Sequence, residues 1–511
     1  SQTSPGARSP YSSLRLSARG IAHCSLLVEM PLQLYDTLSR REHPFTPLEP
    51  PQVRMYCCGV TVYDYCHLGH ARSYIVWDIV RRYLTWCGYQ VRYVQNFTDI
   101  DDKILNRARQ ESSSMEEVAN RFTDAYFEDM ARLNVMEADE YPRATHTLDG
   151  IQRLIHELEN KGFAYAADGD VYYRVQQFEN YGKLSHRQLA EMEAGRSDRV
   201  ASQQLEKKEN PFDFALWKSA KPGEPSWPSN WGKGRPGWHI ECSAMVRDRL
   251  GDSIDIHCGG SDLVFPHHEN EIAQSEAVTG KSLAKYWMHN GMVTVNGEKM
   301  SKSLGNFTTI RELLKTVEPM ALRLFVLQVQ YRNPLDFTDA AIASATNGWQ
   351  TLKEGLTFGT QYGDRLGWKI TETRDRDILE TEAIDRFQTA MDSDFNTPGA
   401  LAVLFELAKE LRREGNVLAH GESLKTPPDI LERKWHTLAH LAGILGLQVE
   451  NDAETSDTGG VSEAEIEAAI GQRKAARAAK NFAEADRIRN ELATQGVTLV
   501  DRPGGETIWH R

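Results

Sequence analysis

No stretch of this sequence approaches the about 18 consecutive apolar residues that suggest a membrane-spanning helix, so no span is expected. An excess of positive charge is missing too. The 72 Asp and Glu residues outnumber 59 Lys and Arg, for a formal net charge of −13. That excludes a generic nucleic-acid coat, which would be basic, and leaves RNA binding through a local patch open. Nor is there a disulfide framework. The seven cysteines, Cys24, Cys57, Cys58, Cys66, Cys87, Cys242 and Cys258, are odd in number and irregularly spaced. In a chain this long, such a set points to reduced thiols, some of them metal ligands. No internal repeat is visible. What is present is the composition of a soluble globular protein, 40% hydrophobic and 26% charged. At 511 residues the chain is too long for one ordinary core and should divide into about three or four domains.

Residues 1–29 are built largely from Ser, Arg, Pro and Gly, with Arg8, Arg15 and Arg19 and no acid before Glu29. The composition is that of a transit peptide but lacks amphipathic periodicity. The favoured expectation is a disordered extension before Met30 that carries no chemistry. Val53 to Cys58 reads as a strand, Thr61 to His67 as a loop, and a helix should run from Leu68–His70 to about Cys87, stopped by Gly88. Val91 to Asn96 reads as a second strand, completing a β-α-β unit that seeds a parallel α/β sheet. Residues 103–160 read as helical. Residues 161–235 are mixed and end in a Pro-, Gly- and Trp-rich stretch of loops suited to wrapping a site. Strand signals return at Ser253–His257, with a helix from Pro266. Residues 308–447 are mostly helical, and 448–461 form an acidic, polar linker. Ser462 and Glu465 make a capping box, a second helix follows Asn481, and Val497–Asp501 and Glu506–Trp509 should close as a hairpin.

Three constellations carry chemistry. The first is His67-Leu68-Gly69-His70, at the point where a strand hands over to a helix. Backbone N–H groups and the helix dipole there favour phosphate, and an imidazole can donate to charge developing on phosphoryl oxygens. The bland alternative is an ordinary turn. The second is Lys-Met-Ser-Lys-Ser at 299–303. Its two lysines suit a loop that meets a triphosphate as point charges. A solvated basic turn would look similar, but a chance match to one such pentapeptide is on the order of one in several thousand. The third is dispersed. Cys58 ends the first strand, Cys242 lies in GWHIECSAM, and His267 and Glu271 stand four apart in FPHHENE. Cys, Cys, His and Glu suit zinc, although free cysteines are often no more than small buried hydrophobes. Cys57 and Cys58 must face opposite sides of their strand, so only one can reach a given site. On a helix His267 pairs with Glu271, and His268 with Ile272.

The blocks MYCCGVTVYDYCHLGHAR, FTDIDDK, GWHIECSAM, SDLVFPHHENEIAQS and KMSKSLGN, taken in order, closely resemble the cysteinyl-tRNA synthetases among the class I aminoacyl-tRNA synthetases. The likeness runs from about Leu32 to the C-terminus. It implies an α/β fold, namely a Rossmann-like parallel-sheet catalytic domain with an insertion, then a helical bundle and a small C-terminal α+β anticodon-binding domain. The implied layout is an extension at 1–30, the catalytic domain at 31–145 and 236–307, and an insertion at 146–235. The bundle follows at 308–447, the linker at 448–461 and the terminal domain at 462–511.

By the same resemblance, His67, Gly69, His70 and Lys302 bind ATP, and His67, His70, Lys299 and Lys302 carry the catalysis. Thr98, Trp238 and His257 bind the amino acid. Cys58, Cys242, His267 and Glu271 hold one Zn²⁺ per chain, and Mg²⁺ comes with ATP. The implied activity is ATP-dependent attachment of cysteine to tRNA(Cys) by a cytoplasmic monomer, or an organellar one if residues 1–29 are a transit peptide. Leu68 replaces the family's usual isoleucine. Cys258 replaces a glycine, which would strain the backbone if φ there is positive. The eight cations of residues 461–511 equal the eight acids, and Trp509 could stack on an unpaired base. A related family joins cysteine to an amino-sugar, but it lacks the long C-terminal region seen here.

Overall fold

The segment Gln52–Cys57 buries Val53 and Met55 alternately and then Tyr56 and Cys57 together, as a strand covered on both faces must. In the computed structural model, which describes residues 31–188, 207–300, 306–368, 379–449, 463–479, 481–494, 497–501 and 507–510, it is the third strand of the chain. The hairpin β1 (Gln33–Asp36) and β2 (Arg41–Pro44) precedes β3 (Gln52–Cys57), and β4 (Gln90–Gln95) follows it. The insertion carries β5 (Ala164–Ala167), β6 (Asp170–Tyr173), β7 (Phe214–Ser219) and β8 (Gly234–Pro236). After it come β9 (Ile254–Gly260) and β10 (Ala284–Asn290). The central sheet has the order β10-β9-β3-β4 and is parallel throughout.

The expected β-α-β unit is present. Its helix spans Leu68–Trp86, and the chain turns at Gly88, where φ is +94°. The strand ends at Cys57, so Cys58 stands just past the carboxyl end of β3. Ligand sites of open parallel sheets form at that end. Cys57 and Cys58 part as the pleat requires. Cys57 joins the large core that includes Trp77 and Met288, and Cys58 joins the opposite one with Cys242, Met245 and Trp287. Cys258 pairs with Cys57 across β9 and β3, on the face away from Cys58, and φ there is not positive, so the feared strain is absent.

Two expectations, the helical reading of 103–160 and the helix start at Pro266, need correction, and two others gain detail. Residues 133–147, inside the stretch read as helical, hold no α-helix. The helices flanking this gap are Met115–Arg132 and Leu148–Asn160. The mixed region makes an antiparallel sheet, β5-β6-β7-β8. The helix expected from Pro266 starts at Glu269, after a kinked turn at Val264–His268 in which Phe265 is extended, with φ −139° and ψ 133°. The helical region contains β13 (Leu335–Phe337), which pairs in parallel with β11 (Val293–Val295), the partner of β12 (Glu298–Lys299). Four long helices, Asp339–Tyr362, Thr381–Asp392, Thr397–Ala419 and Pro428–Ile444, pack beyond it.

At the C-terminus, helices Glu463–Ala478 and Phe482–Thr494 precede the hairpin β14 (Thr498–Asp501) and β15 (Thr507–His510). Ile466, Ile488, Leu492 and Val497 form a core of their own. The extension at 1–30, most of the linker, Ser462 and the hairpin tip at 502–506 lie outside the described residues. No helix among the described residues is long and apolar enough to cross a membrane.

Candidate active site

His67 is the N-cap of the helix Leu68–Trp86. Its Nδ1 accepts from the Gly69 N–H at 3.0 Å, and His70 Nδ1 accepts from the His67 N–H at 3.3 Å. The two rings stack at 3.7 Å. An imidazole that accepts through Nδ1 carries its proton on Nε2 when neutral. Burial, then His67 and Lys103, hold His70 well below the usual imidazole range, so it is neutral at physiological pH. The helix cap therefore fixes the tautomer, leaving Nε2–H as the donor. Gly69 is required here because a Cβ would stand 2.8 Å from His67 Cε1 and 3.7 Å from Met300 Cε. The imidazole is thus what crowds this glycine most closely, and Met300 brings the second motif to the same turn. Lys299 ends β12, exposed, and its carbonyl accepts from Asn306 Nδ2 at 3.2 Å. Lys302 lies outside the described residues.

On the other side of the sheet Cys58, Cys242, His267 and Glu271 meet. One donor atom from each lies within 4.8 Å of the rest, and all four residues are buried. Cys58 Sγ is 3.8 Å from Cys242 Sγ and 3.3 Å from Glu271 Oε1, and His267 Nε2 is 3.1 Å from the same carboxylate oxygen. Burial alone would raise the Glu271 carboxyl, but His257 and His267 hold it well below the usual range. Burial likewise works against the His267 imidazolium, yet Glu271 and then Cys242 push it up to about 10. Cys242, accepting from Cys58, comes down to about 6, while burial drives Cys58 upward.

A second set, Cys58, His257, His268 and Glu271, meets the same distance limit. His268 was assigned to Ile272 by regular helical spacing. It also stands three residues before Glu271, on the same helix face, and lies 3.3 Å from Cys58 Sγ. The two sets differ in what else their imidazoles do. His268 Nδ1 is tied to His289 at 2.8 Å, and His257 stacks on Trp287 while its Nε2 meets Glu271 Oε2 at 2.9 Å. These contacts orient the first set from outside it. Two sulfurs, an imidazole and a carboxylate are also the better donor mixture for zinc.

Trp238 opens the helix Trp238–Leu250 and is 42% exposed beside this buried cluster, with its ring 4.3 Å from His267. Thr98 is buried, and its hydroxyl donates to Glu241 at 3.4 Å. Sequence reasoning missed Glu241 and His239, whose Nδ1 is 2.9 Å from His267 Nδ1. Both lie inside the GWHIECSAM block, so the block marked them although their type did not.

The profile for the class I (C) tRNA synthetase catalytic domain matches residues 44–347. A DALR domain matches 386–450, and a cysteinyl-tRNA ligase anticodon binding domain matches 462–509. Cysteine--tRNA ligase of Gloeothece citriformis is 64% identical over 487 residues, covering 94% of this chain and 100% of that protein. Those of Trichodesmium erythraeum and Synechococcus elongatus are 65% and 66% identical, with the same shares covered. Among solved structures, Mycobacterium tuberculosis methionyl-tRNA synthetase with methionyl-adenylate aligns at a TM-score of 0.54 and 17% identity, over 77% of this chain and 89% of that one. At that identity the likeness speaks to the fold alone. With a parallel sheet, a catalytic-domain match over more than half its length and relatives this similar, the chain belongs to the cysteine--tRNA ligases, a family of class I aminoacyl-tRNA synthetases.

Proposed function

We propose that this enzyme activates cysteine with ATP and passes it to tRNA(Cys), choosing the amino acid by its sulfur at a zinc site made of Cys58, Cys242, His267 and Glu271. The observation that carries the reading is the buried four-donor cluster beside the exposed face of Trp238. Held there, zinc would supply a Lewis acid that takes the substrate sulfur as thiolate, a bond a serine hydroxyl does not match. The protein's own groups then do the rest. Trp238 and Thr98 border the amino-acid pocket. His257 orients Glu271 and is braced by Trp287.

In the first step the substrate carboxylate attacks the α-phosphate of ATP, which brings Mg²⁺ with it, and pyrophosphate leaves. The Nε2–H groups of His67 and His70 donate to phosphoryl oxygens, and Lys299 and Lys302 offset charge on the departing pyrophosphate. No covalent enzyme intermediate is needed, so positioning and electrostatics supply the rate. In the second step the terminal ribose hydroxyl of tRNA attacks the adenylate carbonyl. The domain layout that fits is a catalytic core at 31–145 and 236–307, an insertion between, a bundle at 308–447 and an anticodon reader from 462. An anticodon-domain match at 462–509 favours tRNA over an amino-sugar acceptor.

The test is ATP–pyrophosphate exchange dependent on cysteine, with metal analysis on the same sample. We expect exchange with cysteine and not serine, and about one zinc per chain. Cys242→Ser should lose both the metal and tight cysteine binding. A zinc-free preparation that activates cysteine and refuses serine would defeat the reading.

A further inference from the structure

Arg311 sits where the segment after KMSKS meets the HLGH turn. The junction is mainly backbone: Ile310 N–H donates to the Cys66 carbonyl at 2.9 Å and Leu68 N–H to the Thr308 carbonyl at 3.4 Å. The rings of His67 and Phe307 meet edge to face at 5.2 Å. From this junction Arg311 reaches the helix Met115–Arg132. Its Nε lies 3.0 Å from Asp129 Oδ1, and Nη2 donates to the Ala125 carbonyl at 3.2 Å and to Glu128 at 2.5 Å. The guanidinium lies 4.9 Å over the ring of Tyr65, two residues before His67, and that ring packs edge-on against Phe122. Asp129 is 1% exposed. Burial raises its carboxyl to about 6 against the pull of Arg311 and Arg132, so it is mostly ionised at neutral pH. Burying an ion pair is a poor route to stability, since apolar replacements often do as well. The 3.0 Å contact to Asp129 is an ion pair without hydrogen-bond geometry, so direction comes from the Nη2 bonds to Ala125 and Glu128, and Asp129 adds the buried charge that holds the guanidinium in place.

We propose that the Arg311–Asp129 pair, seated on Tyr65, is a positioning device for adenylate formation: it pins the HLGH turn to the helix Met115–Arg132 and so sets where His67 and His70 present their Nε2–H donors. Neither residue touches substrate. The inference rests on the reading above that those histidines act on ATP.

The test uses the full-length, zinc-loaded chain and the variants Asp129→Asn, Arg311→Lys and the double variant. Three quantities are compared: cysteine-dependent pyrophosphate exchange, single-turnover transfer from supplied cysteinyl-adenylate to tRNA, and Tm. We expect each single variant to lose roughly 10-fold in exchange kcat, a modest misplacement by the standard of about 100-fold per 1 Å. The KM for ATP and the transfer step should stay within about two-fold, and the double variant should be no worse than either single one, as partners in one interaction behave. Undiminished exchange in both singles overturns the proposal, as does exchange falling together with transfer in step with Tm. Should Asp129→Asn fold poorly, Tyr65→Leu at the half-exposed platform is read in the same way. Absence of exchange in the unmutated chain would overturn the functional reading itself, whereas exchange that persists unmutated and undiminished in the variants overturns only the positioning role.

Discussion

At neutral pH the four-donor cluster holds protons that a metal must displace. His267 is charged, because its imidazolium persists up to about 10, and Cys58 keeps its thiol proton, whereas Cys242 at about 6 is largely thiolate. Zinc binds neutral imidazole and thiolate. Loading zinc at neutral pH should therefore release about two protons per chain, one from Cys58 and one from His267. Affinity should rise with pH through the neutral range towards 10 and weaken on acidification. Titration calorimetry in buffers of differing ionisation enthalpy measures this directly, and a heat independent of buffer would contradict it.

That only one of two adjacent cysteines reaches the four-donor cluster was legible, because strand alternation has only two outcomes, and the family resemblance named Cys58 as the one that does so. Which of two adjacent histidines does so was only half legible. His267 is there, but His268, three residues before Glu271, shares the face and reaches the cluster as well. Pairing by four alone is incomplete, because residues three apart share a helix face too. The HLGH turn shows a different limit. That its imidazoles would cap their own helix through Nδ1 is a matter of rotamer and ring orientation, and no pattern of residue types encodes those.

At the scale of elements, Asp78 and Arg323 join what the chain keeps apart. Asp78 lies in the helix Leu68–Trp86 and Arg323 in Pro319–Leu327, and both are buried. Arg323 pairs with Asp78 and donates to the carbonyls of Leu133 and Leu445 at 2.9 Å and of Asn134 at 3.0 Å. Gly446 must be glycine for the same reason, since a Cβ there would stand 2.3 Å from Arg323 Nη2. Asp78→Ala should cost about 3–5 kcal/mol, because it strands a buried guanidinium.

Burial works against the Asp78 carboxylate, but Arg82 and then Arg323 outweigh it and hold its pKa below the ordinary value. The stability it contributes is thus present above the unfolded pKa of about 3.9 and is lost as pH falls through the lower folded one. Urea unfolding across acid pH should show that limb in the native chain and not in Asp78→Asn. Elements with strong periodicity, such as β3, the Leu68–Trp86 helix and the long helices beyond residue 338, were readable. The insertion's sheet was not, because strands of 3 to 6 residues set among Gly, Pro and Trp leave too few alternations to count.

Across the whole molecule, the C-terminal unit has its own small core, and Trp509 belongs to it. The ring is half-buried against that cluster, and its Nε1–H donates to Glu467 at 3.4 Å. Among the described residues of this unit, Phe482 presents the open aromatic face, 61% exposed at the start of its helix. A base stacked on an aromatic side chain is worth roughly 1–3 kcal/mol. Phe482→Ala should therefore raise the KM for tRNA by about 5- to 150-fold while leaving cysteine-dependent pyrophosphate exchange alone. Equal charging by the two proteins would remove Phe482 from the interface.

The donors at Cys58 and Cys242 come from opposite sides of the insertion, 184 positions apart in the chain. An occupied cluster is therefore a clasp on a very long loop. Doubling such a loop adds only about 0.6 kcal/mol of closure entropy. The span between the end of β3 and the helix Trp238–Leu250 is then free to lengthen, shorten or be rebuilt over evolutionary time without prising the sheet open.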